Sequence, residues 1–260
     1  MNLTSAQFAM ISGAMILCMV WDAINDLLMG IIIENTHFKM GKFKPWILAG
    51  SLTNAIVIVC LFTIRPSGWG FVAFYSLFYL LWGMTYTMND IAYWGVLPSL
   101  SSDPGTRDSL VTIMSIFVCI GQFSVAGVVP VVIAGNAVKA YRIVAVVVAL
   151  CLIAFQMLTA FGIKENDREE QKDKLSLKDM YLIFMRNDQL VAAGIASIFF
   201  NITCNILIIF GVNFFYIEYG YSESGNLVFY FTVMYGLGML ISQASYATLA
   251  KHFTRNRKNS

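Results

Sequence analysis

The sequence predicts an all-α fold, a polytopic membrane helix bundle. Three observations carry the prediction. Of the 260 residues, 58% are hydrophobic and only 12% charged, against about 25% charged in soluble domains. Seven apolar segments reach the length of about 20 residues that a helix needs to cross a bilayer. The positive charges fall almost wholly into alternate loops, as the positive-inside rule describes. A bilayer offers backbone amides no water, so each span must satisfy its own hydrogen bonds, which a helix does.

The first segment, 7–33, holds Trp21-Asp22-Ala23-Ile24-Asn25-Asp26 near its middle. A carboxylate in hydrocarbon costs about 2.5–3.5 kcal/mol on insertion scales, so it marks a place where something is bound or moved. Asp22 and Asp26 stand at i and i+4 on one helix face, with Asn25 one turn from Asp22. This oxygen-rich patch suits a small hard cation or a proton; a structural polar network between helices is the alternative. No lysine or arginine lies within 7–33 or 71–97 to neutralise the pair.

The remaining segments follow in order at 46–64, 71–97, 109–134, 140–163, 189–217 and 226–250, with Gly13, Gly30, Gly121, Gly236 and Gly238 where helices can pack closely. The third and sixth are long and polar near their middles. Asn201 and Asn205 form an i, i+4 pair in the sixth, able to line a cavity or to join helices. Gln122, Gln156 and Gln243 are lone amides best explained by helix packing. The loop 164–188 opens with a dense run of both charges and reads as a solvated linker. From Ser176 it changes character: Leu177, Met180, Tyr181 and Phe184 recur at helical spacing, which predicts a short amphipathic surface helix.

Fourteen of the seventeen lysines and arginines lie in one set of loops, and only Arg65, Lys139 and Arg142 in the other. The rule places the amino terminus outside and the carboxyl terminus in the cytoplasm. The five cysteines sit in apolar segments without C-x-x-C spacing, and His37 and His252 are in loops, which argues against a histidine- or cysteine-based metal or catalytic site. No cleavable signal peptide is expected. The basic tail Lys251–Lys258 is short and accounted for by topology, so nucleic acid is not an expected partner.

The motif Trp82-Gly83-Met84-Thr85-Tyr86-Thr87-Met88-Asn89-Asp90-Ile91-Ala92-Tyr93-Trp94, with Trp21–Asp26 and the loop Gly41-Lys42-Phe43-Lys44-Pro45-Trp46, resembles the glycoside–pentoside–hexuronide:cation symporters of the major facilitator superfamily, melibiose permeases among them. Arg107-Asp108-Ser109-Leu110 and Asn187-Asp188-Gln189-Leu190 extend the resemblance through nearly the whole chain. It implies a partial major facilitator fold in which the seven spans match family helices two to eight. Residues 1–163 would be most of the amino-terminal bundle, 164–188 the cytoplasmic linker and 189–260 the start of the carboxyl-terminal bundle, in a truncated chain that is unstable alone in detergent.

The resemblance also implies a function: symport of a sugar or glycoside with sodium, lithium or a proton, by alternating access, in a bacterial plasma (inner) membrane. No cofactor beyond the coupling ion and no enzymatic activity are expected; the partners are the sugar, a monovalent cation and the lipid bilayer. Asp22, Asn25, Asp26 and Thr87 match the family's cation site, with Asp22 and Asp26 as the metal-ligating carboxylates. Asp90 and Trp94 match its sugar site, where a carboxylate bonds hydroxyls and an indole stacks on the C–H face; interfacial anchoring is the other reading of Trp94. Lys42, Lys44 and Arg107 match cytoplasmic turns that can latch the bundles during gating, or simply set topology. The chain departs from the family at Ser115 and Met19, where melibiose permeases carry arginines, which leaves the sugar open.

Three rival classes stay on the table: a fragment without transport activity, a seven-helix receptor and an intramembrane enzyme. A retinal protein would need a lysine in 226–250, where there is none. An aspartyl protease would need its two carboxylates on different segments.

Overall fold

The computed structural model describes residues 3–101, 103–133, 137–164, 176–223 and 225–256. Among these residues all regular structure is helical: α1 (Ser5–Glu34), α2 (Lys44–Thr63), α3 (Trp69–Gly95), α4 (Leu97–Leu100), α5 (Pro104–Ile133), α6 (Ala137–Gly162), α7 (Leu177–Arg186), α8 (Asp188–Glu223) and α9 (Gly225–Asn256). Among the described residues, six helices are long and apolar enough to cross a membrane. The seventh predicted span falls on α9, where the described apolar stretch is Asn226–Ser242. The predicted surface helix is present as α7; the charged run before it, 165–175, lies outside the described residues.

Local chemistry sets the helix ends. Thr4 and Gln7 form a reciprocal capping box at α1, Thr4 Oγ1 accepting from the Gln7 amide at 3.3 Å and Gln7 Oε1 from the Thr4 amide at 3.0 Å. Gly41, at φ 108°, makes the turn into α2, which Pro45 opens in its first turn. Pro98 similarly begins α4. Asp103 Oδ2 accepts from the Thr106 amide and hydroxyl, both at 2.7 Å, and caps α5. Asn187 Oδ1 accepts from the Leu190 amide at 3.1 Å and caps α8. Gly220, at φ 73°, breaks the helical path near the end of α8.

Packing sorts the chain into two units, Met1–Ser102 with Val138–Asp179, and Asp103–Ala137 with Met180–Ser260. In the first, α1, α2, α3 and α6 each give one side chain to a common core: Ile33, Ile47, Ala92 and Ala160. Polar side chains join the same helices. Asn54 Nδ2 on α2 donates to Thr85 Oγ1 (2.9 Å) and to the Trp82 carbonyl (3.2 Å) on α3. Gly50 brings the α2 backbone so near α3 that a Cβ there would stand 2.7 Å from the Asn89 nitrogen. Leu17, Phe155 and Phe161 are among the large apolar side chains left exposed, as lipid-facing positions require.

The second unit is built on α5, α8 and α9. Gly236 on α9 receives the Phe123 ring of α5, whose edge would lie 2.8 Å from a Cβ there. Gly211 on α8 receives Phe231 of α9 in the same way. The expected organisation counts α5 with residues 1–163; in this structure α5 packs on α9, where the Phe123 ring fits the gap at Gly236.

Thr106 holds the Asp103 carboxyl below the usual carboxylate range. The cap's contribution is therefore present above the unfolded-state value of about 3.9 and is lost as pH falls through the lower folded value. The protection factor of the Thr106 amide, its exchange referred to the intrinsic rate at each pH, should fall on acidification. In Asp103→Asn, whose amide oxygen still accepts, protection should lack that acid step; a step of equal size in both would remove Asp103 as the titrating cap.

Candidate functional site

The polar centre lies between α1 and α3, inside the first unit. Asp22 and Asp26 project from one face of α1 and meet Thr87 on α3. Thr87 Oγ1 is 2.9 Å from Asp26 Oδ1 and 3.4 Å from Asp22 Oδ1. Thr87 is buried, at 3% exposure, and Asn25 likewise, at 4%. One hydroxyl proton serves only one acceptor at a time. Two carboxylates therefore share a single donor, and the buried Asn25 Nδ2 has no hydrogen-bond partner among the described residues.

Helix geometry explains why these groups meet. The i, i+4 spacing puts the carboxylates about 5–6 Å apart at Cβ. Gly83 clears the space opposite Asp22, since a Cβ there would lie 3.2 Å from Asp22 Oδ1. A small cavity of about 40 Å³ opens at this point, lined by Cys18, Asp22, Tyr79, Trp82 and Gly83 among others. At an effective dielectric of about 20, two charges about 6 Å apart repel by roughly 3 kcal/mol. The donor set is carboxylate, hydroxyl and amide, the hard oxygen chemistry that alkali cations accept.

Asp90 lies one turn beyond Thr87 on α3. Trp94 and Tyr86, one turn to either side on the same helix, stand beside its carboxylate, and the charge of Asp26 acts on it. The Trp94 ring is 36% exposed and Tyr86 52%, so both present surface beside a carboxylate. Tyr86 ends a ladder of rings along α3, in which Tyr75, Tyr79, Trp82 and Tyr86 follow one another at centroid distances of 5.9, 5.5 and 6.1 Å. Tyr86, Gly83 and Asn89 fall in the Trp82–Trp94 motif with no role assigned to them from sequence. The aromatic i, i+4 spacing carried a signal for Tyr86, whereas Gly83 matters only through a contact with another helix.

The other expected residues are placed differently. Asn201 and Asn205 stand on α8 in the second unit. Their amides donate to carbonyls one turn back in the same helix, Ser197 and Asn201, both at 2.8 Å. Lys42 pairs with Glu34 at 2.7 Å and lies 5.3 Å from the Phe43 ring centre. Lys44 is the first residue of α2, and Arg107 is in the first turn of α5 in the second unit. Gln156 donates to Asn89, Gln122 lines a cavity of about 200 Å³ with residues of α8 and α9, and the Gln243 side chain lies outside the described residues.

Comparison with known proteins bears on what such a site serves. Residues 4–259 match the family model described as MFS/sugar transport protein. The lactose permease of Lactobacillus helveticus is 27% identical over 216 residues, 76% of this chain and 34% of the permease. The raffinose carrier protein of Pediococcus pentosaceus is 25% identical over 246 residues, 88% of this chain and 38% of the carrier. The inner membrane symporter YicJ of Escherichia coli (strain K12) is 28% identical over 182 residues, 68% of this chain and 40% of the symporter. The chain thus spans well under half the length of these curated relatives. A match that runs from the cap of α1 to the tail beyond α9 takes in every helix described above, and the chain belongs to the MFS/sugar transport protein family.

Proposed function

We propose that this chain forms the cation-coupled part of a symporter for a sugar or glycoside, working by alternating access. In this reading Asp22, Asn25, Asp26 and Thr87 bind sodium, lithium or a proton, with Asp22 and Asp26 as the charged ligands. The observation that carries it is the pair of carboxylates sharing the one Thr87 hydroxyl, with no basic side chain on α1 or α3. A monovalent cation relieves the repulsion and fills the acceptor sites that the protein leaves open. The Asn25 amide can turn its oxygen to the same ion.

Asp90, with Tyr86 and Trp94, offers a sugar a carboxylate for its hydroxyls and ring surface for its C–H face. A cation beside Asp26 would change the field at Asp90, and the coupling is reciprocal: a sugar that binds better with the cation must also hold the cation better. The names lactose permease and raffinose carrier among the relatives favour a galactoside. Within the second unit, Asn201 and Asn205 of α8 keep acceptor oxygens that suit a sugar hydroxyl. The match to transport proteins favours this reading over the receptor and intramembrane-protease ones.

The loops of Lys42, Lys44 and Arg107 would face the cytoplasm of a bacterial cell membrane and act in gating. The Lys42–Glu34 pair is partly exposed, and such pairs contribute about 0–1 kcal/mol, a strength suited to a contact that must release in each cycle. If 164–188 divides two bundles, the pairing of α5 with α9 is where sequence from either side of it meets.

Two substitutions test the site in the intact reading frame that carries this chain. Asp26→Ala should remove at least about ten-fold of the sodium, lithium or proton stimulation of labelled lactose uptake, while Asp90→Ala should abolish lactose binding itself. Stimulation unchanged in Asp26→Ala would refute the cation assignment. Gly83→Ala should press on Asp22 and narrow the cavity, shifting preference from sodium toward the smaller lithium ion; competition between the two ions in lactose binding reads this out, and an unaltered preference would place the ion elsewhere.

A further inference from the structure

Asn89 is a buried polar residue of α3 that the proposed cation and sugar contacts leave unused. Its side chain reaches two other helices. Nδ2 donates to the Ile47 carbonyl on α2 at 3.0 Å, and Oδ1 accepts from Gln156 Nε2 on α6 at 3.1 Å. The backbone is held at the same level, because Gly50, one turn along α2 from Ile47, would place a Cβ 2.7 Å from the Asn89 nitrogen and 2.9 Å from its Cα. Ile47 is fully buried and Asn89 is 9% exposed. Losing either partner would leave a buried amide group unsatisfied, the costly case for a hydrogen bond.

Helical phase shows what this contact fixes. At about 100° per residue, Asn89 points about 200° away from Thr87 and about 100° from Asp90. Thr87 meets α1 on one side of α3, while Asn89 grips α2 and α6 on another, so α3 is held across its width. Turning α3 by about 20° would move a side-chain oxygen about 6 Å from the axis by about 2 Å. That would break the Thr87–Asp26 hydrogen bond and re-aim Asp90 in the same motion.

We infer that Asn89, with Gln156 as its partner, is the positioning residue that sets the rotation of α3 and so keeps Thr87 and Asp90 in register with each other. The roles of Thr87 and Asp90 rest on the function proposed above; the clamp itself does not. A residue that couples two ligand sites in this way should affect both when it is lost.

The test uses two single variants, their double variant and two readouts in the intact reading frame that carries this chain. In proteoliposomes, Asn89→Ala and Gln156→Ala should each weaken the binding of sodium and of tritiated lactose together, by about ten-fold. The double variant should be no worse than Asn89→Ala, since both changes open one clamp. The second readout needs no ligand. Oxidative cross-linking of Cys18 on α1 to a cysteine introduced by Tyr79→Cys on α3, positions that line one small cavity, reports the rotation of α3 once the remaining cysteines are replaced by serine. Its rate should change several-fold in both variants while thermal unfolding stays cooperative. Unchanged cross-linking in both variants would overturn the clamp, as would loss of lactose binding alone in Asn89→Ala, which would make Asn89 a sugar contact. Altered cross-linking in a protein that binds neither sodium nor lactose before substitution would uphold the clamp and remove the proposed function.

Discussion

Two carboxylates one helical turn apart, inside a membrane-length helix, share a single hydroxyl donor. The rest of the first unit is organised around that constraint. Asp22 and Asp26 have no lysine or arginine on α1 or α3 to neutralise them. Their hydrogen bonds run to Thr87, and only one can be fully formed at a time. In the proposed function a proton or a monovalent cation would relieve the repulsion between them. A fixed basic residue would relieve it too, but could not enter and leave.

Holding the site open and in register falls to residues without charge. Gly50 lets the α2 backbone meet that of α3, and Gly83 leaves room on α3 for the Asp22 side chain of α1. Asn54 and Asn89 bind α3 to α2, and Gln156 adds α6. Inside a membrane the hydrophobic effect does little to draw helices together, so close packing and interhelical hydrogen bonds carry much of the specificity. In the proposed reading, the amide hydrogen bonds between α2, α3 and α6 serve to present Thr87 and Asp90. The second unit uses a different device, seating aromatic rings in glycine gaps.

Much of this was legible in the sequence. The i, i+4 spacing of Asp22 and Asp26 put both carboxylates on one face, and the long apolar segments marked out the spans. The match between Trp82–Trp94 and a family motif brought Thr87 to the same place before any geometry was known. Periodicity tells which face of a helix is buried but not against which neighbour. For that reason the sequence pointed to Gln156 as one more packing amide and gave no sign that its partner would be Asn89. It likewise grouped α5 with its neighbours in sequence, while the fit of Phe123 to Gly236 joins it to α9. The spacing of Asn201 and Asn205 fitted a polar lining and a helix contact equally, and gave no sign that each amide donates within α8, a choice open to any asparagine on a helix.

The most direct test of the central claim is a reciprocal titration of the intact reading frame that carries this chain. Sodium affinity is measured with and without saturating lactose, and lactose affinity with and without saturating sodium; lithium and pH are then varied in the same design. A cation seated at Asp22, Asp26 and Thr87 beside Asp90 predicts that each ligand tightens the other by the same factor, on the order of 5- to 150-fold. Affinities for lactose that ignore sodium, lithium and pH alike would contradict the account, because the carboxylate pair would then have no part in binding the sugar.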